Sequence, residues 1–398
     1  MIAKINKGVE QFQEFFHTNF TRCDQESVEI MLMLAYGHMF DIFTPNQLIQ
    51  ILGLDKNDVY GAINSWSIHH LRKLFLNAGF SQVKELIAEV LTKSPATRSR
   101  MRITLSVDDT VIDRMGNLMS LTYSWFSGRH HDIVQGQNII AITMKIGSRV
   151  IPLCIRPVGK QGRGNTSKPQ IFREMIHELV EVFGQEGIDL TDFPITFDSW
   201  YGSDNLVKIL KQVGFHTQED SDKQEGFDQI LIHAKNNYVF TIDGKKQKLS
   251  LHKKEMQLDD SAWGCKGIPV ARKEAESPTF GKVILVFFMD CSKLKCLMVF
   301  GRKLRACEAI SIWKQHHSIE QFWRRLKYDL QIHRMRLRSR QGVNAMVAVK
   351  LVAYLVMEQI SSITRMTFQQ VKNYAKRDID LCSFFNEHFH LFSVPQHL

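Results

Sequence analysis

The sequence predicts an α/β fold in which a mixed β-sheet is flanked by helices, with a helical N-terminal domain and a β-rich insertion. Three observations lead to this prediction. Residues 1–98 show helical patterns and no convincing strand, residues 99–242 alternate strand and helix patterns, and residues 243–303 break that alternation with short strands. Alternating strands and helices are typical of a sheet covered by helices, and a predicted hairpin within it indicates mixed strand directions.

Length and composition indicate a globular protein with a large core and an anionic partner. The chain has 398 residues, is 44% hydrophobic and carries a net charge of +10. Residues 302–340 hold eleven Lys and Arg against three acidic residues, which is the pattern expected for binding a phosphate backbone. A solvated basic helix face is the ordinary alternative.

Cysteine usage and hydropathy favour a cytoplasmic protein without a membrane span. The seven cysteines are scattered and contain no CxxC pair, so a disulfide framework or zinc site is not expected. The N-terminus does not resemble a signal peptide. The longest apolar run, 345–357, is shorter than the roughly 20 residues of a membrane span and contains Lys350.

The N-terminal region contains one unit with clear helix boundaries. Thr44 and Pro45 predict a capped helix start, Gly53 predicts its end, and Asp55 predicts the cap of the next helix. Two short helices around a tight turn resemble a helix-turn-helix, in which the start of the second helix, Lys56 and Asn57, would read bases. A plain helical hairpin is the alternative. A polar, basic linker at 93–100 then predicts a domain boundary.

Strand and helix patterns follow in order through the rest of the chain. The predicted strands are 102–108, 138–146 with 149–155 as a hairpin turning at 147–148, 193–198, 238–242, 247–251, 282–289 and 296–300. The predicted helices begin after Ser167 and Ser203, near Ala306 and near residue 341. The resulting domains are 1–98, 99–242 and 304–365 as two parts of one core, 243–303 as the insertion, and 366–398 as a helical tail.

Three carboxylates stand where a metal-dependent enzyme acting on phosphodiesters would need them. Asp109 and Asp198 each end an apolar strand pattern, and Glu320 lies inside an amphipathic helix. Strand ends and a facing helix can bring such groups together, and carboxylates with water are the ligands that Mg²⁺ prefers. Alternation puts Asp108 on the opposite strand face from Asp109, so Asp108 is the alternative to Asp109 as a metal ligand.

The helix around Glu320 has two faces. An apolar stripe holds Ile319, Phe322, Trp323, Leu326 and Leu330. A neighbouring stripe combines a carboxylate with cations and an aromatic ring, and it holds Trp313, His316 or His317, Glu320, Arg324 and Lys327. This stripe favours DNA binding beside a metal site. An ordinary ion pair between Glu320 and Arg324 on a wet helix is the alternative.

These motifs resemble those of the DDE transposases, which have a ribonuclease H-like core. The third motif of one bacterial insertion-sequence group reads Tyr-x2-Arg-x3-Glu-x6-Lys, and Glu320 and Lys327 match its second half. Trp313 and His316 replace its tyrosine and arginine. The sequences at 108–110 and 198–203 resemble the first two motifs, and the resemblance covers about residues 100–360.

The resemblance implies a DNA transposase that cleaves transposon ends and joins the 3′-hydroxyl to target DNA by two-metal-ion phosphoryl transfer. It implies Mg²⁺ as the cofactor, with Mn²⁺ as a substitute, and a homodimer on double-stranded DNA near the bacterial nucleoid. The alternatives are a metal-dependent nuclease of the same core without strand transfer, a domesticated DNA-binding protein without catalysis, and an unrelated α/β protein. The expected DNA-binding residues are Lys327, Arg324, Trp313, His316, Arg334, Arg336, Arg338, Lys160, Arg163 and Lys168.

Three other segments have less specific patterns. The loop 159–166 lacks the lysine of a P-loop, so it predicts a basic loop on the DNA backbone or a plain surface loop. Residues 129–132 contain adjacent histidines that predict a polar loop rather than a metal site. Trp263 is a candidate for stacking on a flipped base, with a small insertion core as the alternative.

Overall fold

A computed structural model describes the chain except for residues 20–24, 94–101, 115–118, 129, 160–166, 200–203, 216–228, 260–267, 302–303, 335–336 and 390–398. In the described residues, twelve α-helices and one sheet of eleven strands form the molecule. The sheet is mixed and has helices packed on it. The predicted α/β, ribonuclease H-like architecture with a helical N-terminal region is therefore confirmed.

The N-terminal region consists of five helices, and its predicted helix boundaries are confirmed. The helices are α1 (Ile2–Asn19), α2 (Gln25–Tyr36), α3 (Pro45–Leu52), α4 (Lys56–Ser65) and α5 (Ile68–Leu91). The Thr44 side chain accepts a hydrogen bond from the Gln47 amide at the start of α3, and Gly53 ends that helix with a φ of 65°. The Asp55 side chain caps α4. The cap residues in the sequence thus fix where these helices begin and end.

The central sheet begins with a strand that pairs on both of its sides. Its strands are β1 (Ile103–Asp113), β2 (Tyr123–Ser127), β3 (Asp132–Ile146), β4 (Arg149–Val158), β5 (Ile195–Phe197) and β6 (Gln229–His233). β3 lies antiparallel to β1, β2 and β4, whereas β5 is parallel to both β1 and β6. The predicted hairpin turn at 147–148 is confirmed. Two helices follow β4 and β5 in sequence, α6 (Lys168–Gln185) and α7 (Asp204–Gln212).

The β-rich segment continues the same sheet. It contains β7 (Val239–Ile242), β8 (Lys245–Lys248), α8 (Leu249–Glu255), β9 (Val270–Ser277), β10 (Gly281–Asp290) and β11 (Lys293–Gly301). β11 pairs antiparallel with β6, and the order then runs through β10, β9 and β7 to β8 at the edge. β7, which the sequence places in the alternating region, therefore joins the sheet through β9 and pairs on its other side with the edge strand β8.

Four helices complete the chain. They are α9 (Ala306–Tyr328), α10 (Arg340–Thr364), α11 (Phe368–Asp378) and α12 (Leu381–His388). By length and composition α10 could cross a membrane, and it is the one such helix in the described residues. However, 78% of its most apolar window is buried inside the protein, as in the core helix of a globular protein.

Candidate active site

β1 and β5 bring two carboxylates side by side. The strands are parallel, and Ser106 lies opposite Thr196 with their hydroxyl oxygens 3.0 Å apart. Continuing that register by two residues puts Asp108 beside Asp198. Because side chains alternate along a strand, both carboxylates project from the sheet face that Ser106 and Thr196 occupy.

Helix α9 covers that face and carries the third carboxylate toward the other two. The Thr104 hydroxyl donates to the Gln315 side chain at 2.9 Å, and the Thr196 hydroxyl lies 3.0 Å from Nδ1 of His316. α9 therefore runs along β1 and β5 on the same side of the sheet as Asp108 and Asp198. Glu320 lies one turn beyond these contacts, toward the ends of the strands.

The electrostatics of Asp108 show that the acidic groups lie close to one another. Burial raises the pKa of the Asp108 carboxyl well above its usual range, and the charges of Asp109, Asp198 and Glu320 raise it further. A cluster of carboxylates that disfavour each other's ionisation is suited to a cation, which would offset the repulsion.

The three carboxylates do not form a closed ligand set in this arrangement. The Glu320 side chain is 60% exposed and lies 3.2 Å from Nδ1 of His317. Among the described residues, no group of three or more His, Cys, Asp or Glu side chains could hold a metal ion as it stands.

Asp109 lies on the other face of β1. Its Oδ2 is 2.6 Å from Nζ of Lys168, at the start of α6, and accepts a hydrogen bond from Nδ2 of Asn138 at 2.6 Å. α6 packs on the face opposite α9, since the ring of Phe172 meets that of Phe197 and Phe197 alternates with Thr196. The sequence favoured Asp109 as the metal ligand, whereas the geometry groups the alternative, Asp108, with Asp198 and Glu320.

A cavity of about 410 Å³ opens beside these groups. It lies beside the second half of β1, where β5 ends, between the hairpin of β2 and β3 and the helices α6 and α9. The lining residues are Asp108, Asp109, Thr110, Val111, Trp125, Phe126, Ser127, Gly128, Asn138, Lys168, Asp198 and Lys327. Acidic groups, two lysines and two aromatic rings thus share one opening.

The side chains of Trp313 and His316 are buried, which corrects the prediction that they face DNA. Trp313 is 7% exposed and His316 is 4% exposed, and their rings stack at 4.7 Å. On the other side Trp313 stacks on His233 of β6 at 5.8 Å. Both residues lie on the helix face of Glu320, but the strand β6 covers the N-terminal half of that face. Burial also lowers the pKa of His316 to about 4, although the charge of Asp198 opposes this shift.

The cations of the predicted DNA-binding set are spread over several places. Lys327 and Lys168 line the cavity, and Arg324 is exposed on α9. Arg334 and Arg338 are exposed in the segment between α9 and α10. Arg336, Lys160, Arg163 and Trp263 lie outside the described residues. In the loop 129–132, His130 pairs with Asp113 at 2.7 Å.

Asn138, Trp125 and Phe126 are site residues that the sequence did not reveal. They come from β2 and β3, and they reach the cavity because β3 pairs with β1 in a register that puts Asn138 diagonal to Asp109. The alternation of β3 could have indicated that Asn138 shares a face with Ile140. The pairing register with β1 is a long-range property without a local signal.

Comparison with known families gives one match. The family model described as a transposase DDE domain matches residues 102–356, which is more than half of the 398-residue chain. No curated protein matches the chain. The matched span contains all three carboxylates, the strands that carry two of them and the helix that carries the third.

Proposed function

Because the chain belongs to the transposase DDE domain family, we propose that it cleaves DNA at the ends of a mobile element and joins the freed 3′-hydroxyl to target DNA. Members of this family are transposase enzymes that act on DNA and generally depend on divalent metal ions. The strand-transfer step, the choice of metal and the residues that act are part of the proposal.

The observation that carries the proposal is the convergence of three carboxylates on one face of the sheet, at the point where β5 ends. Asp108 and Asp198 lie in register on adjacent strands, and α9 brings Glu320 along the same face. Burial raises the pKa of the Asp108 carboxyl most, and the charges of Asp109, Asp198 and Glu320 raise it further, so Asp198 and Glu320 both lie near Asp108. Asp109 is set apart from them by the strand face from which it projects. We therefore assign the acidic triad to Asp108, Asp198 and Glu320, with Asp109 outside it.

The donor set fits hard divalent ions. Carboxylate oxygens are the ligands that Mg²⁺ prefers, with Mn²⁺ as a substitute, and the excess negative charge at Asp108 would be offset by a cation. Asp108, Asp198 and Glu320 would hold the ions, which stabilise charge on the attacking and leaving oxygens of a phosphodiester. Lys327 and Arg324 would bind phosphates beside them, so that the protein contributes mainly orientation and charge.

The remaining parts of the molecule suit the same substrate. The net charge of +10 favours double-stranded DNA, and α4 exposes Lys56 and Asn57 at its start, where a recognition helix would contact bases. Arg334 and Arg338 extend a basic surface from the end of α9. Two ends must be joined in transposition, so we propose a homodimer in the DNA complex.

The test is Mg²⁺-dependent cleavage of duplex DNA that carries the sequences flanking the coding region. We expect Asp108→Asn and Asp198→Asn each to reduce cleavage at least about a hundredfold, because each removes a group that stabilises transition-state charge. Asp243→Asn is the matched control, since Asp243 lies in the distant turn between β7 and β8, and it should cleave like the wild type.

A second assay separates joining from cutting. Pre-cleaved ends with a free 3′-hydroxyl are incubated with a target plasmid, and covalent joining is measured. Cleavage without joining would identify a nuclease instead of a transposase. Unaltered activity of Asp108→Asn and Asp198→Asn would refute the assignment of the triad.

A further inference from the structure

Asp109, Lys168 and Asn138 form a connected group in the cavity wall that the proposed chemistry does not use. Oδ2 of Asp109 accepts hydrogen bonds from the Lys168 ammonium and from the Asn138 amide, each at 2.6 Å. The Asp109 side chain is 15% exposed and that of Lys168 is 32% exposed, so the pair is only partly open to solvent. This shielding makes it stronger than an ordinary surface ion pair.

The group holds the Lys168 ammonium in one place at the cavity. Asp109 lies on one side of it, and the Trp125 ring centroid lies 5.7 Å away on another. Lysine is a flexible side chain, and it loses freedom whenever its ammonium is fixed. Asp109 and Trp125 impose that order before a substrate arrives, which reduces the entropic cost of binding.

Asn138 in turn fixes the carboxylate that fixes the lysine. Asn138 is 2% exposed, and its Nδ2 donates to Asp109. Its Oδ1 is buried and has no hydrogen-bond partner among the described residues. The amide is therefore held in the cavity wall mainly through its contact with Asp109.

We propose that Asp109 is a positioning residue that fixes Lys168 as the binding group for a DNA phosphate next to the scissile phosphodiester. This inference rests on the proposed transposase function and refines it. An ammonium has three hydrogens, and one directed at Asp109 leaves others for a phosphate oxygen. Lys168, Asp108 and Asp198 line the same cavity, so a phosphate bound to Lys168 would lie close to the acidic triad.

The strand geometry separates this role from that of a metal ligand. Asp109 projects from the α6 face of β1, whereas Asp198 and α9 lie at the opposite face. Asp108 projects from the same face as Asp198, so these two carboxylates together with Glu320 would hold an ion, and Asp109 would not. The two adjacent aspartates thus have different roles: Asp108 would bind the metal ion, and Asp109 holds the ammonium of Lys168.

A double-mutant cycle tests the proposal. The proteins are the wild type, Lys168→Met, Asp109→Asn and the double variant, with binding to the flanking-sequence DNA measured in Ca²⁺ at several salt concentrations. We expect Lys168→Met to weaken binding about tenfold and to reduce the salt slope by about one. Asp109→Asn should weaken binding less, and the double variant should equal Lys168→Met, because Asp109 acts through Lys168.

Two further readings distinguish positioning from metal binding. Mn²⁺ binding followed by electron paramagnetic resonance should be unchanged in Asp109→Asn and reduced in Asp108→Asn. Cleavage by Asp109→Asn at saturating DNA should approach the wild-type rate, so that KM rises while kcat is kept. Asp243→Asn, which breaks a 2.8 Å pair with Lys273 elsewhere, controls for the loss of a Lys–Asp contact.

The inference is overturned if Asp109→Asn loses Mn²⁺ binding, or if the effects of the two substitutions on DNA affinity simply add. These outcomes are separate from failure of the proposed function. If the wild type does not cleave DNA, the transposase proposal fails. If the wild type cleaves DNA but Lys168→Met binds DNA as tightly as the wild type, only the proposed role of Asp109 and Lys168 fails.

Discussion

At the scale of single residues, Lys350 connects three parts of the chain from a fully buried position. Its ammonium lies 2.6 Å from Nε2 of His38 and donates to the carbonyl oxygens of Phe43 at 3.1 Å and Leu330 at 2.8 Å. Burial lowers the pKa of Lys350 well below its usual range. Lys350 thereby links the segment before α3, the end of α9 and the middle of α10.

His38 can serve as the acceptor in this contact only in its neutral form. Its Nδ1 lies 2.8 Å from the Leu34 carbonyl oxygen and carries the ring hydrogen, so Nε2 offers a lone pair to Lys350. Burial, and then the charge of Lys350, lower the pKa of His38 well below 6.5. Protonation of His38 would set two cations against each other in the core.

We predict that the free energy of unfolding decreases as the pH is lowered below about 6.5, and that His38 accounts for a measurable part of this decrease. The unfolded His38 gains a proton as pH falls, and the folded one does not, so the free energy of unfolding decreases. His38→Gln keeps an acceptor for Lys350 and should flatten this dependence by about 1.4 kcal/mol per pH unit. Urea unfolding of both proteins at pH 7, 6 and 5 measures the difference. Equal slopes would contradict the prediction.

The sequence predicted residues whose role is local and missed those whose role depends on distant partners. Thr44, Gly53 and Asp55 cap α3 and α4 as expected, because their partners are near in sequence. Thr44 and Asp55 accept from amides two or three residues away, and the Gly53 N–H donates to the carbonyl oxygen of Ile49. The choice between Asp108 and Asp109 depends on which sheet face α9 covers. That face is decided by a helix about two hundred residues further along the chain.

At the scale of elements, helix α5 approaches strand β4 through a glycine. A Cβ atom on Gly79 would lie 2.5 Å from the carbonyl oxygen of Pro152, which is backbone and cannot turn aside. This contact explains why a long helix contains glycine at a buried position. The close approach lets the neighbouring apolar side chains of α5 pack directly on the sheet.

Substituting Gly79 should therefore separate the two elements. We expect Gly79→Ala to lower stability by about 1–3 kcal/mol through overpacking. Gly61→Ala is the matched control, because a Cβ atom at that position in α4 meets nothing within 4 Å. It should raise stability by up to about 1 kcal/mol, since alanine favours the helix. Thermal unfolding of both variants measures these opposite shifts, and a Gly79→Ala protein as stable as the wild type would count against the close contact.

The two stripes of helix α9 differ in how well ideal helical periodicity predicted them. Its apolar stripe from Ile319 to Leu326 was predicted and is buried. The polar stripe was predicted to face one groove and to bind DNA, but Trp313 and His316 at its start are buried. Helical periodicity gives the face on which a residue lies, whereas burial also depends on the position along the helix axis. Trp313 packs against β6 and the strands β9 to β11, whereas Glu320, two turns further along, is exposed.

At the scale of the whole molecule, one apolar core joins the N-terminal helices to the sheet. α1, α2, α4 and α5 all contact α10, which lies against β4. A Cβ atom on Gly8 of α1 would lie 3.0 Å from the side chain of Ile360 in α10. Such tight packing makes the N-terminal region part of the catalytic body.

We predict that cutting the chain between α5 and β1 leaves the two pieces associated. A site for a specific protease placed within residues 94–100 should yield fragments that co-elute in native size-exclusion chromatography and separate only in denaturant. The uncut protein provides the reference elution. Separation of the fragments in native buffer would show that the shared core does not hold the two regions together.

The sheet as a whole was only partly predictable. Strand β6 was missed because its five residues form a short apolar run without alternation, which sequence patterns assign poorly. The order of β7 to β11 depends on pairings between distant segments. The strand patterns predicted a β-rich insertion. They did not indicate whether its strands would extend the first sheet or form a separate sheet, because that depends on the pairing of β11 with β6.

The pairing of β11 with β6 has a structural consequence. The strands from β2 to β8 follow one another in a single sheet, so the strands beside the acidic cleft and the whole β-rich segment form one continuous body. Strand β8, which carries three lysines at one edge of the sheet, is therefore connected through backbone pairing to the strands that position Asp108 and Asp198.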